Sequence, residues 1–209
     1  MGRPTTEMAR DTRREILDAA LDLFAEKGFH GTSMRALATA VGVRESAIYH
    51  HFDSKEALLA ALLDDQVETR SSAFEADLPA LLEQPLDQLL TALSQLILAQ
   101  LQAPRQRKFF RVAINCRGAL AEDDGAFKRM MDEPRRIVGR LLNHLKKSGK
   151  VRADVELDVF HLHLVAPLFL ASNVGFSDEG KGPFSLPLGK FVKQHVAFLV
   201  QALSPPRGR

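Results

Sequence analysis

The chain has 209 residues, enough for one large domain or two small ones, and its 45% hydrophobic and 26% charged composition excludes a disordered or fibrous protein. Its 28 Lys and Arg against 26 Asp and Glu give a net charge of +2, which argues against a nucleic-acid binder that acts by bulk positive charge. A single cysteine, Cys116, excludes an intramolecular disulfide and indicates a reducing compartment. The longest apolar run, 164–171, is far shorter than the about 20 residues of a membrane span, and no secretory signal is apparent, so we expect a cytoplasmic protein.

The charge is distributed unevenly along the chain. Residues 105–152 carry 14 basic and 5 acidic side chains, whereas residues 61–104 carry 1 and 7. The basic stretch is either a functional surface, for an anionic effector or for extra DNA affinity, or a solvated face balanced by the acidic stretch before it. The second interpretation is favoured because charge runs are ordinarily solvated.

Helical periodicity runs through nearly the whole chain and predicts an all-α fold without strands. The first clear helix is predicted to begin at Thr12, which has capping-box spacing with Glu15, and to end before Gly28. A later helix is predicted to begin at Asp53, with Glu56 three residues on. Further helices are expected over about 33–40, 45–51, 86–101, 109–114, 135–147, 155–174 and 188–203, with a loop over 175–187.

Residues 34–52 have the pattern of a helix-turn-helix. Gly42 can take the positive φ of a tight turn, and the small Ala38 allows two helices to approach closely. Val43 and Ile48 would then anchor the second helix on the first. This arrangement lets the second helix enter a DNA major groove while the first braces it across the backbone. An ordinary corner between two helices is the alternative.

The surrounding residues narrow that choice. The stretch GFHGTSMRALA over 28–38, followed by VGVRESAIYHHF over 41–52 and Lys-Glu-Ala-Leu over 55–58, closely resembles the DNA-binding domain of the tetracycline-repressor (TetR) family of bacterial transcription regulators. The resemblance covers about residues 10–60. The rest of the chain is similar only in being helical and variable.

The resemblance implies a domain organisation and a function. A helix-turn-helix DNA-binding domain over 1–60 would precede a larger helical effector-binding and dimerisation domain over 61–203, and we expect a disordered tail over 204–209. The protein would be a homodimeric repressor that binds a palindromic DNA operator, needs no cofactor, and is released by a small-molecule effector. The alternatives are an activator or effector-independent DNA binder of the same fold and, more remotely, a helical enzyme using His161 or Cys116.

The chemistry of individual side chains suggests the DNA contacts. Hydroxyls at a helix N-terminus can hold a phosphate, an arginine can bind a guanine edge with two hydrogen bonds, and a lysine can pair with a phosphate. The predicted DNA-binding residues are Thr32, Ser33, Arg35, Arg44, Glu45, Ser46, Tyr49, His50 and Lys55.

Two features leave the base specificity open. Many family members have Lys-Gly-Thr where this chain has Glu45-Ser46-Ala47, so a hydroxyl that often touches phosphate is missing and a negative charge is present. Glu45 can instead accept a hydrogen bond from cytosine N4. Tyr49 has an alternative role as a cap on the local core, and His51 is expected to pack beside Phe52.

In the second domain we expect a pocket for a small-molecule effector of unknown identity, with an anion as one candidate. Methionine and phenylalanine at helical spacing are more often core than ligand contacts, which is the alternative here. The candidate lining residues are Phe109, Phe110, Ile114, Cys116, Met130, Met131, Phe169 and Asn173.

The last two long helices have large apolar faces, and in the family they pair with their copies as a four-helix bundle. We therefore expect an isologous dimer interface there. Its candidate residues are Phe160, Leu164, Leu168, Phe191, Phe198 and Leu199. His161 and His163 lie two residues apart, which directs them to different sides of a helix, and no metal site is expected.

Overall fold

The protein is represented by a computed structural model that describes residues 6–119, 125–174 and 186–206, except for the side chains at 6–10, 70–77, 117, 127, 131 and 174. All regular structure in these ranges is helical, which confirms the predicted all-α fold. The helices are α1 (Thr6–Lys27), α2 (Met34–Val41), α3 (Glu45–His51), α4 (Lys55–Leu82), α5 (Leu86–Gln102), α6 (Pro104–Asn115), α7 (Gly125–Lys147), α8 (Leu157–Val174) and α9 (Leu188–Leu203), with a 3₁₀ turn over Arg117–Ala119.

The predicted bounds of α3 and α9 are confirmed, but two helix starts were predicted wrongly. Helix α1 begins at Thr6, because the good helix formers before Thr12 extend it upstream and leave the capping pattern inside the helix. Helix α4 is capped by Ser54, whose Oγ accepts the N–H of Ala57 at 3.0 Å, and not by Asp53.

Two further predictions concern the start of α7 and the loop that follows α8. Helix α7 begins at Gly125, ten residues before the expected start, with Pro134 inside it. The expected loop over 175–187 falls mostly outside the described residues, as do the last three residues of the expected tail.

The chain packs as two compact units, and their division differs from the one expected at residue 60. The first, the amino-terminal unit, comprises residues 1–70 and 104–131. Its core combines α1, the two short helices, the start of α4 and α6. The predicted boundary of the DNA-binding domain at residue 60 is a functional one and stays a prediction.

The second, the carboxy-terminal unit, comprises residues 71–103 and 132–209. Helix α5 packs against α8 and α9 through its buried leucines, among them Leu89 and Leu93. The ammonium of Lys150 donates to the carbonyls of Leu82 and Gln84 at 2.7 Å each, which satisfies orphan carbonyls at the end of α4. In the described part of the chain, no helix combines the length and apolar character that crossing a bilayer requires.

Candidate nucleic-acid interface

The turn between α2 and α3 adopts the geometry that its sequence predicts. Ser33 caps α2 by accepting the N–H of Ala36 at 3.1 Å. Gly42 has φ 76° and ψ 26°, the left-handed conformation in which a glycine is least strained. The N–H of Val43 then reaches the carbonyl of Ala38 at 3.0 Å, so the turn closes the end of α2 and redirects the chain into α3.

Helix α3 is anchored on its inner side by one side chain. Ile48 is completely buried, and it shares a core with Leu37 of α2 and with Leu17, Leu21 and other residues of α1. The anchor holds a short helix that could not be stable on its own in water. The sequence prediction that Ile48 packs α3 on the rest of the helix-turn-helix is therefore confirmed.

The outer side of α3 presents hydrogen-bonding groups to solvent. Arg44, Glu45, Ser46, Tyr49 and His50 are all exposed. Tyr49 is 48% exposed, so it does not cap the core, and that alternative is wrong. Such a row of donors and acceptors on one helix face is what base edges and phosphates require.

Helix α2 adds two exposed groups near the start of the motif. Arg35 is exposed, and neither Arg35 nor Arg44 forms an ion pair with another described residue. Ser33 is exposed as well; its oxygen caps α2, while its hydroxyl hydrogen is left to donate. Both side chains can therefore contact DNA without first breaking an internal salt bridge.

Thr32 and Lys55 are occupied inside the protein, unlike the residues above. Thr32 is 2% exposed, and its hydroxyl donates to the carbonyl of Gly28 at 2.9 Å. The phosphate contact predicted for the Thr32 hydroxyl must therefore be corrected, because the hydroxyl fixes the end of α1 instead. The ammonium of Lys55 donates to the carbonyls of Phe29 and Thr32 at 2.7 and 2.8 Å, which leaves one of its three donors for DNA.

The residues after α3 tie it to the first helix. The Arg13 guanidinium lies 5.3 Å from the centre of the Phe52 ring, a cation–π contact. His51 packs beside Phe52 with ring centres 6.4 Å apart, as its sequence position suggested. Partial burial, followed by the neighbouring charges of His50 and Arg13, lowers the pKa of His51, so this ring is neutral at pH 7.

Sequence reasoning missed a set of ion pairs inside the amino-terminal unit. Arg105 of α6 pairs with Asp18 of α1, and Lys108 pairs with Asp22 at 2.7 Å. Arg129 makes a bidentate contact with Asp64 of α4, both distances being 2.8 Å. The excess of basic residues over 105–152 was the available signal, but its partners are up to 87 positions away in sequence.

The predicted effector-pocket residues are divided between the two compact units. Phe109, Cys116 and Met130 belong to the buried core that also holds the helix-turn-helix, whereas Ile114 is 64% exposed. Of the others, Phe110 is a half-buried neighbour of that core, Phe169 and Asn173 lie in the carboxy-terminal unit, and the Met131 side chain lies outside the described residues.

Burial governs the pKa of both side chains named for the enzyme alternative, Cys116 and His161. Burial raises the pKa of the Cys116 thiol, although a hydrogen bond from the Phe29 backbone and the charge of Lys55 act in the opposite direction. A protonated, buried thiol is a poor nucleophile. Burial lowers the pKa of His161, which stands on α8 in the other compact unit.

The predicted dimer residues need a correction. Phe160, Leu164, Leu168 and Leu199 are each at most 1% exposed, because they fill the core of their own carboxy-terminal unit. They have no surface left to offer a second copy. Of the remaining two, Phe191 is half-buried and stacks on His195 at 5.8 Å, and Phe198 is 59% exposed.

The carboxy-terminal unit also contains an open groove of about 1950 Å³ between α5 and α9. Its buried apolar members are Leu98, Val151, Val192 and Val196, and Gln95 and Lys193 are exposed members of its lining. The groove is larger and more open than the about 300–1,000 Å³ cavities that enclose small ligands.

Comparisons with known proteins agree with this geometry. The family profile described as "Bacterial regulatory proteins, tetR family" matches residues 16–62, which include the helix-turn-helix. The HTH-type transcriptional regulator UidR of Escherichia coli (strain K12) is 48% identical over 59 residues, which are 28% of this chain and 30% of UidR. The chain thus matches less than a third of that relative's length.

Two further proteins are similar over most of the chain. The HTH-type transcriptional repressor AcnR of Corynebacterium diphtheriae is 28% identical over 155 residues, 73% of this chain and 74% of AcnR. The crystal structure of the transcriptional regulator FadR from Bacillus subtilis in complex with stearoyl-CoA has the same fold, with a TM-score of 0.68 at 16% identity over 90% of this chain and 96% of that one. These relatives are named transcription regulators, and residues 16–62 of this chain match the tetR family of bacterial regulatory proteins.

Proposed function

We propose that the protein is a homodimeric repressor that binds a palindromic DNA operator in the cytoplasm and releases it when a small molecule binds. The observation that carries the proposal is the exposed polar side of α3, fixed in place by the fully buried Ile48. A rigid scaffold that presents a row of donors and acceptors on one short helix is suited to reading base edges.

We assign the DNA contacts by chemistry. Arg44 and Glu45 open α3 and read bases, Arg44 as a bidentate donor to guanine and Glu45 as an acceptor from cytosine. Ser33, Arg35, Ser46, Tyr49 and His50 supply further hydrogen bonds, mainly to phosphates. Lys55 contributes its one remaining donor.

The proposed dimer forms through exposed apolar residues of the last two helices. Val159, Leu162 and Leu170 of α8 are each more than half exposed, as is Phe198 of α9. Exposed large apolar side chains of this kind are what an interface between two copies would cover. A two-fold axis through this face would present two copies of α3, which is why the operator is expected to be palindromic.

The proposed effector binds among the helices after residue 60. AcnR is named a repressor, and FadR was crystallised with stearoyl-CoA, so relatives of this fold both repress and hold small molecules. The candidate lining residues of the carboxy-terminal unit, Phe169 and Asn173, remain part of this proposal, as does an anionic character of the effector.

Fluorescence anisotropy with fragments of the source genome tests the DNA-binding claim, with the full-length protein kept at low salt. We expect selective, saturable binding to a few fragments and a protected palindrome in a footprint.

Mass spectrometry of small molecules extracted from the purified protein tests the effector claim, since adding back a true effector must weaken the binding. Failure to bind any fragment would exclude the repressor, and tight binding that activates a reporter gene would favour the activator.

A further inference from the structure

The ion pairs between α1 and α6 form a regular ladder, whose members are Asp18–Arg105 and Asp22–Lys108. The two carboxylates lie one turn apart on α1, and the two cations lie about one turn apart on α6. The order of residues runs the same way on both helices, so each cation meets its own carboxylate. Displacement of α6 along α1 would break both pairs together.

The ladder acts on the helix that carries the DNA-reading motif. The inner face of α1 packs in the same core as Leu37 of α2 and Ile48 of α3, so a change in the placement of α1 changes the support of both. Arg105 also lies 3.8 Å from Asp65 of α4. Helix α4 also fixes the loop before α2, because the Lys55 ammonium donates to two carbonyls of that loop. One arginine therefore connects α6 with both helices that flank the motif.

The ladder is weak enough to adjust this placement without determining the fold. Arg105 and Lys108 side chains are 38% and 46% exposed, and their carboxylate partners are 45% and 61% exposed. Exposed ion pairs of this kind contribute little to stability and are screened by salt. The apolar contacts of Phe109 and Val112, both completely buried, keep α6 in the core when the pairs are absent.

The pairs join an acidic and a basic segment of one compact unit. Residues 1–70 carry 9 basic and 12 acidic side chains, whereas residues 104–131 carry 7 and 3. Both segments belong to the amino-terminal unit, so Asp18 and Asp22 find their cations inside it.

We propose that Arg105 and Lys108 are positioning residues for DNA binding, which hold α1 and the helix-turn-helix in the DNA-competent arrangement without touching DNA themselves. This inference rests on the proposed DNA-binding function. It assigns a task to part of the basic stretch over 105–152, for which a solvated face was the favoured interpretation.

A charge-swap experiment on the full-length protein tests the inference, with a fluorescent fragment selected for binding to the wild type. We expect Lys108→Asp and Asp22→Lys each to weaken binding about 5-fold, and the double variant, which has the wild-type net charge, to bind within about 2-fold of the wild type. Arg105→Gln together with Lys108→Gln should weaken binding about 10-fold while circular dichroism stays unchanged. A swapped pair that does not restore binding would overturn the inference.

Matched controls separate pairing from net charge. Arg111 on α6 and Glu26 on α1 are exposed, stand on the same helices, and have no recorded ion pair among the described residues. Arg111→Gln should therefore leave binding within about 2-fold of the wild type. If Arg111→Gln weakens binding as much as Lys108→Gln does, the loss is a mere charge effect, and the inference is overturned.

The salt dependence separates positioning from direct contact. Because neither cation touches phosphate, the slope of log Kd against log salt in Lys108→Gln should differ from that of the wild type by much less than about 1, the small difference coming from screening of the ion pair itself. A slope that falls by about 1 would show direct phosphate contact and overturn the positioning role. If the wild type itself binds no fragment, the proposed function fails first, and the inference fails with it.

Discussion

Helices α3 and α8 differ in how clearly their sequences separate an inner side from an outer one. In α3 the buried Ile48 is followed by the exposed and polar Tyr49 and His50, so polarity alone identifies the side that can meet DNA. In α8 the buried Phe160 and the exposed Leu162 are both apolar. A helix that is apolar all round has both a core side and a potential partner side, and its periodicity cannot tell them apart.

The largest expected effect comes from the inner side of α8. Phe160→Ala should lower the free energy of unfolding by about 3–5 kcal/mol, because it removes a fully buried ring and leaves a cavity. Leu162→Ala on the outer side should cost less than about 1 kcal/mol within the protomer. Urea denaturation at one fixed protein concentration, well below the dimer dissociation constant, measures both. Equal losses would mean that the two sides of α8 are not distinct.

The outer side should respond to charge instead. Leu162→Glu combined with Phe198→Glu places carboxylates in the proposed dimer face, where they would lose their hydration. We expect the dimer dissociation constant to rise by about 100-fold, or about 2.7 kcal/mol, while the protomer stays folded. Analytical ultracentrifugation measures this change.

Lys193→Glu is the matched control for the dimer prediction. Lys193 is exposed on another side of α9, at the groove, so the added negative charge should leave the dimer intact. A double variant of Leu162 and Phe198 that sediments as a dimer would show that the protein associates through a different surface.

The DNA-reading helix gives the third expected effect. Arg44→Ala should change the preference at one base pair of each half-site by about 1–3 kcal/mol, because a bidentate donor to a base edge is lost. Ser33→Ala should instead weaken all sequences about equally, since a phosphate contact carries no base information. Binding to a library of single-base operator variants, at one salt concentration, distinguishes the two. Identical preference profiles for Arg44→Ala and the wild type would remove Arg44 from base reading.

Local patterns explain which parts of the fold could be predicted from sequence. The bounds of α3 and the turn at Gly42 depend on neighbours within a few residues, and both were predicted correctly. The start of α1 was predicted wrongly because Thr12 and Glu15 have capping spacing inside a helix that continues upstream. Capping patterns are frequent enough to occur where no helix begins.

Contacts between distant residues explain what could not be predicted. Lys55 was predicted from its chemistry to pair with a phosphate, but two of its donors reach carbonyls 23 and 26 residues away. Asp18 and Asp22 lie one turn apart on α1, and their cationic partners come from α6, 87 and 86 residues away. Side-chain type shows what a group can bind, whereas only the packed structure shows which partner already occupies it.

The smallest expected effect tests the turn that separates α2 from α3. Gly42→Ala should lower the free energy of unfolding by about 1 kcal/mol, because φ stays at 76° and an alanine there is strained. No atom lies within 4 Å of an added Cβ, so backbone strain is the whole cost. Gly42→Asn should cost less, since asparagine tolerates this conformation better. Gly118→Ala, also in open space but without a positive φ, should not destabilise the protein. If the thermal unfolding temperature of Gly42→Ala is no lower than that of Gly118→Ala, the left-handed turn is not what holds α3 at its angle. The buried Ile48 must then do so alone.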